Sequence, residues 1–248
     1  MSWDGAPRKR LVGLEAIHRA LDAQAPIHLI LLPRAGTAEQ TALRQRAEAT
    51  GIALWLGGDG DMRRMSPDSR HPATAIALLG QPPAASLDAV LQLGGVVWLL
   101  HRPAYPSNVG FMIRTAEVAG ASAVVIDAPD FNREQRSRTS HVTMGADRVM
   151  PVLWTGTQEV LQGAKQHGLR TIAIEDSGAH PPHEVDLASS VVLLLGNERD
   201  GLPAEVRNAC DTGIRIPMLG FVPSYSVQAA MAMVAGERLR QLQLRGRL

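Results

Sequence analysis

Four continuous apolar runs constrain this chain most: Val96-Val97-Trp98-Leu99-Leu100, Ala123-Val124-Val125-Ile126, Thr171-Ile172-Ala173-Ile174 and Val191-Val192-Leu193-Leu194-Leu195. A strand open to water on one face alternates apolar and polar residues; an unbroken run suits a strand covered on both faces, as in a parallel sheet. Helical patterns lie between and after them, over Val109–Ala119, Gln158–His167 and Ser226–Arg240. Parallel neighbours need crossovers, and helices supply them. The expected fold is α/β, a mainly parallel sheet with helices on both faces.

The first 80 residues read as a smaller α/β unit. Leu14, Ile17, Ala20 and Leu21 make an apolar stripe in a helix over Leu11–Ala23, and Thr37–Thr50 is rich in helix formers. Ile27–Leu32, Ile52–Leu56 and Thr74–Leu79 read as strands. Gly80-Gln81-Pro82-Pro83-Ala84-Ala85-Ser86 reads as linker, because paired prolines favour extended backbone. The expected division is residues 1–80, a linker at 81–94, and 95–248.

Hydrophobic residues make up 45% of the 248 and aromatics 4%, so the core must be built mostly from Leu, Val, Ile and Ala. No apolar run approaches the roughly 20 residues needed to span a bilayer. Arg8-Lys9-Arg10 is not followed by a signal-type apolar stretch. The single cysteine, Cys210, excludes an intrachain disulfide and a Cys-based zinc site. The expectation is a cytoplasmic protein with no membrane partner and no metal. Net charge is +1, so a nucleic-acid partner must be argued from clusters: Arg8, Lys9 and Arg10, and a loop bearing Arg133, Arg136 and Arg138. Such patches grip phosphate even when total charge is near zero.

Chemistry-bearing residues gather where strands end. After Val96–Leu100 come Ser107 and Asn108, either a good helix N-cap, then Gly110 and Arg114. After Val191–Leu195 comes Gly196-Asn197-Glu198-Arg199-Asp200-Gly201-Leu202, a tight loop whose backbone N–H groups can face a ligand; Pro203 suits the first turn of a short helix. A short strand over Gly213–Ile216 leads into Pro217-Met218-Leu219-Gly220, then Ser224-Tyr225-Ser226 before an Ala/Met-rich helix whose Met231, Met233 and Val234 suit core or subunit contacts. Ligands of open α/β sheets bind at this edge. A dinucleotide site would need Gly-x-Gly-x-x-Gly after the first strand, but His101-Arg102-Pro103-Ala104-Tyr105 lies there. Gly57-Gly58-Asp59-Gly60 is glycine-rich, with no helix start expected behind it.

In this order the segments resemble the three motifs of the SpoU (TrmH-type) branch of the SPOUT RNA methyltransferases: N-x-G-x-x-x-R-T-A, L-G-x-E-x-x-G-L and I-P-M-x-G-x-x-x-S-L-N-V. The resemblance covers about residues 95–240. The first block resembles the ribosomal-protein-L30e-like substrate-binding domain that precedes many of these domains. Membership implies a C-terminal trefoil knot, a homodimer with the site at the subunit interface, and methyl transfer from S-adenosylmethionine to a ribose 2′-hydroxyl of RNA. Ribosomal RNA is the first expectation and transfer RNA the second. The implied cofactor cradle is Leu195, Gly196, Asn197, Ile216, Met218, Gly220, Tyr225 and Ser226. Asn108, Arg114, Glu198 and Ser224 are implied at the reacting centre, with Glu198 accepting from Asn108 or Arg114. Guanidinium groups stay protonated in proteins, so Arg114 is open to two roles, transient base or cation on the developing oxyanion. Ser224-Tyr225-Ser226 departs from Ser-Leu-Asn, which leaves open a catalytically weak relative that holds RNA.

Overall fold

Along β5 (Val96–His101), Val96, Trp98 and Leu100 enter one buried layer, and Val97 and Leu99 another. Successive side chains of a strand point to opposite faces, so the unbroken run is a strand buried twice over. In this computed structural model, which describes residues 9–84 and 86–248, the described residues form two compact units divided between Pro82 and Pro83.

The unit after Pro83 contains α4 (Leu87–Leu93), β5, α5 (Pro106–Val118), β6 (Ala123–Asp127), α6 (Arg133–Val142), α7 (Ala146–Val149), β7 (Val152–Trp154), α8 (Thr157–Gln166), β8 (Arg170–Ile174), β9 (Val191–Leu195), α9 (Ala204–Asn208), β10 (Thr212–Ile214) and α10 (Val227–Leu244). Its six strands pair in parallel in the order β10-β8-β9-β5-β6-β7. The chain runs outward from β5 through β6 to β7, then returns to the other side of β5 for β8, β9 and β10. The loops after β5 and β9 therefore diverge at a switch point, where an open parallel sheet leaves a crevice.

Several sequence expectations change. Residues 87–93 of the expected linker form α4, whose Val90 and Leu91 are buried in the layer below the sheet. The expected Arg133–Arg138 loop is helix α6. Its N-cap Asn132 accepts from Gln135 N (3.0 Å), and Gln135 Oε1 accepts from Asn132 N (2.9 Å). α5 starts at Pro106 with Tyr105 as N-cap, so neither Ser107 nor Asn108 caps it; Pro at the first turn forfeits no helical hydrogen bond. Pro203 is the N-cap of α9, one residue before its first turn. α5 and α6 meet at Gly110, where a Cβ would lie 2.6 Å from Thr139 O and 2.8 Å from Val142 Cβ.

The C-terminal helix is tied to the β8–β9 connection by buried polar groups. Gln241 Oε1 accepts from Leu187 N (2.8 Å), and its Nε2 donates to Val185 O (3.0 Å). Arg238, 2% exposed, donates from Nη1 to Leu187 O and to Ser189 O (3.0 Å). Burial pushes its guanidinium down to about 10.

The earlier unit contains β1 (Arg10–Val12), α1 (Leu14–Asp22), β2 (Ile27–Pro33), α2 (Ala38–Ala49), β3 (Ala53–Gly57), α3 (Asp59–Met65) and β4 (Ile76–Leu79). Its sheet order is β1-β4-β2-β3, with β2 and β3 parallel and β4 antiparallel to both β1 and β2. The expected helix from Leu11 begins at Leu14, because Leu11 belongs to β1 and Gly13, at φ 91°, makes the corner. The Gly57–Gly60 stretch does open a helix: Gly58 N donates to Asp61 Oδ2 (2.9 Å), a backbone cap that an apolar-periodicity reading does not see.

Candidate active site

Ends of four parallel strands and the start of α10 enclose a cleft of about 590 Å³. Ile174, Leu195, Ile216 and Met218 supply apolar wall. Glu175, Asp176, Glu198, Asp200, Arg199 and Arg207 supply charge. All cradle residues implied by the resemblance line it except Gly220, which lies in the exposed Leu219–Val222 loop.

The β9–α9 turn is a closed hairpin. Asn197 and Gly201 exchange backbone hydrogen bonds (3.1 and 3.0 Å), and Leu202 N donates to Glu175 Oε1 (2.5 Å). Gly196 permits this closure: a Cβ there would lie 2.1 Å from Gly201 C and 2.4 Å from Leu202 N. Asn197 Nδ2 then donates to Arg102 O (2.5 Å), which fixes the hairpin to the β5–α5 turn.

Glu198 completes that attachment. One carboxylate oxygen accepts from Ala104 N and the other from Asn108 Nδ2, both at 2.7 Å. Of the two donors expected for Glu198, the structure selects Asn108. Asn108 Oδ1 accepts from Gln228 Nε2 (2.5 Å), so Glu198, Asn108 and Gln228 form a chain joining the first two motifs to the first turn of α10. Both groups of the Asn108 amide and both oxygens of Glu198 are occupied, which makes the pair a brace for the cleft.

Arg114 stands elsewhere. Its side chain is exposed, lines no part of the cleft, and hydrogen-bonds to no described residue. Phe111, Arg114 and Val118, three and four residues apart, share one face of α5, and both apolar members are exposed. Ser226, where the motif usually has Asn, is the N-cap of α10, its Oγ accepting from Ala229 N (3.4 Å). Ser and Asn are near-equivalent caps, so the departure keeps the helix start. Tyr225 donates to Pro217 O (3.2 Å) across its own loop.

Of the expected basic clamp, Arg138 pairs with Glu134 (2.6 Å) and Arg136 stacks on Trp154, 4.4 Å from its ring centroid. Lys9 and Arg10 are exposed, and Arg8 lies outside the described residues.

Two site residues were not anticipated. Glu175 follows β8 directly, and burial raises its carboxyl above the ordinary value, against the lowering influence of Leu202 N–H and Arg207; its place just past an apolar strand was the available signal. Gln228, two residues beyond Ser226, has no sequence mark of its role. Among the described residues, no group of three His, Cys, Asp or Glu side chains can hold a metal ion, and no helix is long and apolar enough to cross a membrane.

A model of the SpoU rRNA Methylase family matches residues 95–236. The 23S rRNA (guanosine-2′-O-)-methyltransferase RlmB of Bordetella pertussis is 29% identical over 209 residues, 82% of this chain and 84% of that protein. Its namesake in Neisseria meningitidis serogroup B is 25% identical over 95% of this chain and 96% of that one. The AdoMet-bound rRNA methyltransferase from Sinorhizobium meliloti is similar in structure, with TM-score 0.61 and 25% identity over 95% of this chain and 88% of that one. The matched stretch takes in β5–β10, the hairpin and the Glu198–Asn108–Gln228 brace, and the chain belongs to the SpoU rRNA Methylase family.

Proposed function

We propose that this chain is an S-adenosylmethionine-dependent methyltransferase acting on a ribose 2′-hydroxyl of ribosomal RNA. The carrying observation is convergence: motifs far apart in sequence meet in one cleft, braced by Glu198, Asn108 and Gln228. The donor set suits this cofactor, whose sulfonium and ammonium are cations. Glu175, Asp176 and Asp200 offer carboxylates, Arg199 and Arg207 can take its carboxylate, and the apolar wall can take its adenine. The cleft volume falls within the range usual for ligand sites, roughly 300–1,000 Å³. Leu195, Gly196, Asn197, Ile216, Met218, Tyr225 and Ser226 form the cradle, with Gly220 shaping the loop beyond it.

The bound cofactor supplies an activated methyl group. The protein must orient the ribose hydroxyl and stabilise charge developing on it. Ser224, exposed at the cleft, is placed to hydrogen-bond the ribose or an adjacent phosphate. Arg114 cannot serve its own chain's cleft as the structure stands, and this supports a homodimer in which its α5 face meets a second copy. Exposed Phe111 and Val118 on α5, and Leu219 and Phe221 in the loop before α10, are apolar surface for that contact. The same reading includes the C-terminal knot, supported by the passage of α10 against the 185–189 connection, and a cytoplasmic setting. It also makes the unit ending at Pro82 an L30e-like RNA-binding domain. Titration calorimetry with S-adenosylmethionine should give one site per chain, and a flat titration would contradict the reading.

Arg133, Arg136 and Arg138 are proposed RNA-phosphate contacts, with Arg8, Lys9 and Arg10 as a second set. Changing the first three together to Gln should weaken RNA binding and reduce the slope of log K against log salt by about 2. An unchanged slope would remove α6 from the RNA surface.

A further inference from the structure

A second cavity, of about 560 Å³, opens between the N-terminal ends of α8 and α9. At its base lies His101, 7% exposed at the end of β5. Its Nδ1 is 2.7 Å from Thr157 Oγ1, and Thr157 Oγ1 donates to Asp127 Oδ2 (2.6 Å). Asp127 Oδ2 also accepts from Thr157 N (3.0 Å). Because the hydroxyl proton goes to Asp127, Nδ1 must be the donor to Thr157 Oγ1. Burial lowers the imidazole's proton affinity, so a neutral ring carries its proton on Nδ1. This assigned tautomer leaves Nε2 an acceptor. Nε2 bonds to no described residue, although His101 lines the cavity.

Around this acceptor stand Glu205, on the first turn of α9, Gln158 and Glu159, on the first turn of α8, and Arg102. The Glu205 carboxylate has no hydrogen-bond or ion-pair partner among the described residues, whereas that of Glu159 accepts from Thr155. The cavity thus offers an imidazole nitrogen and a two-oxygen carboxylate as acceptors, with one guanidinium opposite in kind. Guanine is the nucleobase that matches: N1–H and the N2 amine are adjacent donors suited to one carboxylate, and O6 and N7 accept from arginine. Adenine would turn its N1 lone pair toward the carboxylate. Single-stranded RNA bases are read along these edges.

We propose that this cavity binds a guanine base of the RNA substrate, with Glu205 and His101 Nε2 accepting from its donor edge and Arg102 donating to its acceptor edge. The inference rests on the methyltransferase reading for the RNA, and the two cavities share a wall. Arg102 lines this one, while its carbonyl holds Asn197 of the cofactor hairpin.

The test uses the whole protein saturated with S-adenosylmethionine, with GMP, AMP and the RNA trinucleotides UGU and UAU as probes. GMP should bind at least about tenfold more tightly than AMP, because only guanine presents two adjacent donors to the carboxylate. UGU should show the same preference over UAU, and E205Q should abolish it while leaving cofactor affinity and melting temperature unchanged. Equal binding of GMP and AMP, retention of the preference in E205Q, displacement of GMP by the cofactor, or exclusion of UGU while GMP binds would each overturn the proposal. Guanine binding without cofactor binding or methyl transfer would instead refute the methyltransferase reading alone.

Discussion

Replacing Arg114 with alanine is expected to lower methyl transfer by roughly 10²–10³-fold, the loss usual when one donor to a developing oxyanion is removed. Cofactor affinity should stay within about threefold, because Arg114 lines no part of the cleft on its own chain. The side chain is exposed and hydrogen-bonds to no described residue, so little stability is at stake and a loss of rate can be read as chemistry. Single-turnover transfer and calorimetry on the same preparation separate the two quantities. Normal turnover would remove Arg114 from the reaction. A lysine substitution then tests the need for the planar fork: if positive charge alone suffices transfer should be partly restored, and if the fork is required it should not. If a second copy receives Arg114, co-folding this variant with one disabled in the cleft should recover activity, because one site of the mixed pair is then whole.

The second large effect is expected at Gly196. In Gly196→Ala the added Cβ would sit 2.1 Å from the Gly201 carbonyl carbon, far inside contact distance, and backbone cannot step aside as a flexible side chain can. The hairpin must open. That breaks the Asn197–Gly201 pair and the Leu202 N–H bond to Glu175, and it leaves the half-buried Glu175 without its backbone donor, at a cost of about 1 kcal/mol. Cofactor binding should be lost while the core strands persist. The expected record is a lowered melting temperature, retained far-ultraviolet circular dichroism and a flat calorimetric titration. An alanine variant that binds S-adenosylmethionine normally would show that the hairpin does not shape the cleft.

These consequences were unequally visible in the residues. β5, β6, β8 and β9 announce themselves because burial on both faces confines polar residues to their ends, His101, Asp127 and Arg170–Thr171, and leaves β9 none. α6 does not, since only Thr139 of its ten residues is buried; its cap and the space left by Gly110 hold it in place. β7 has three half-buried residues, too few for a periodic signal. The cleft was legible where glycine and amide residues follow apolar strands, and Gly196, Asn197 and Glu198 all line it. The Gln228 and Glu175 contacts were not legible, because they depend on which strand ends become neighbours after the sheet switches direction. Arg114 shows the opposite limit: its motif marks it, but its exposed place on α5 points to a partner surface that one chain does not contain.

Methyl transfer to a ribose hydroxyl of ribosomal RNA can be observed on the RNA itself. Its most direct measurement gives the purified protein S-adenosylmethionine labelled at the methyl group and ribosomal RNA lacking the modification, then maps the product nucleotide by mass spectrometry. Label is expected on a single 2′-oxygen, dependent on Arg114 and Gly196. Label on a base, or none in a protein that binds the cofactor, would contradict it.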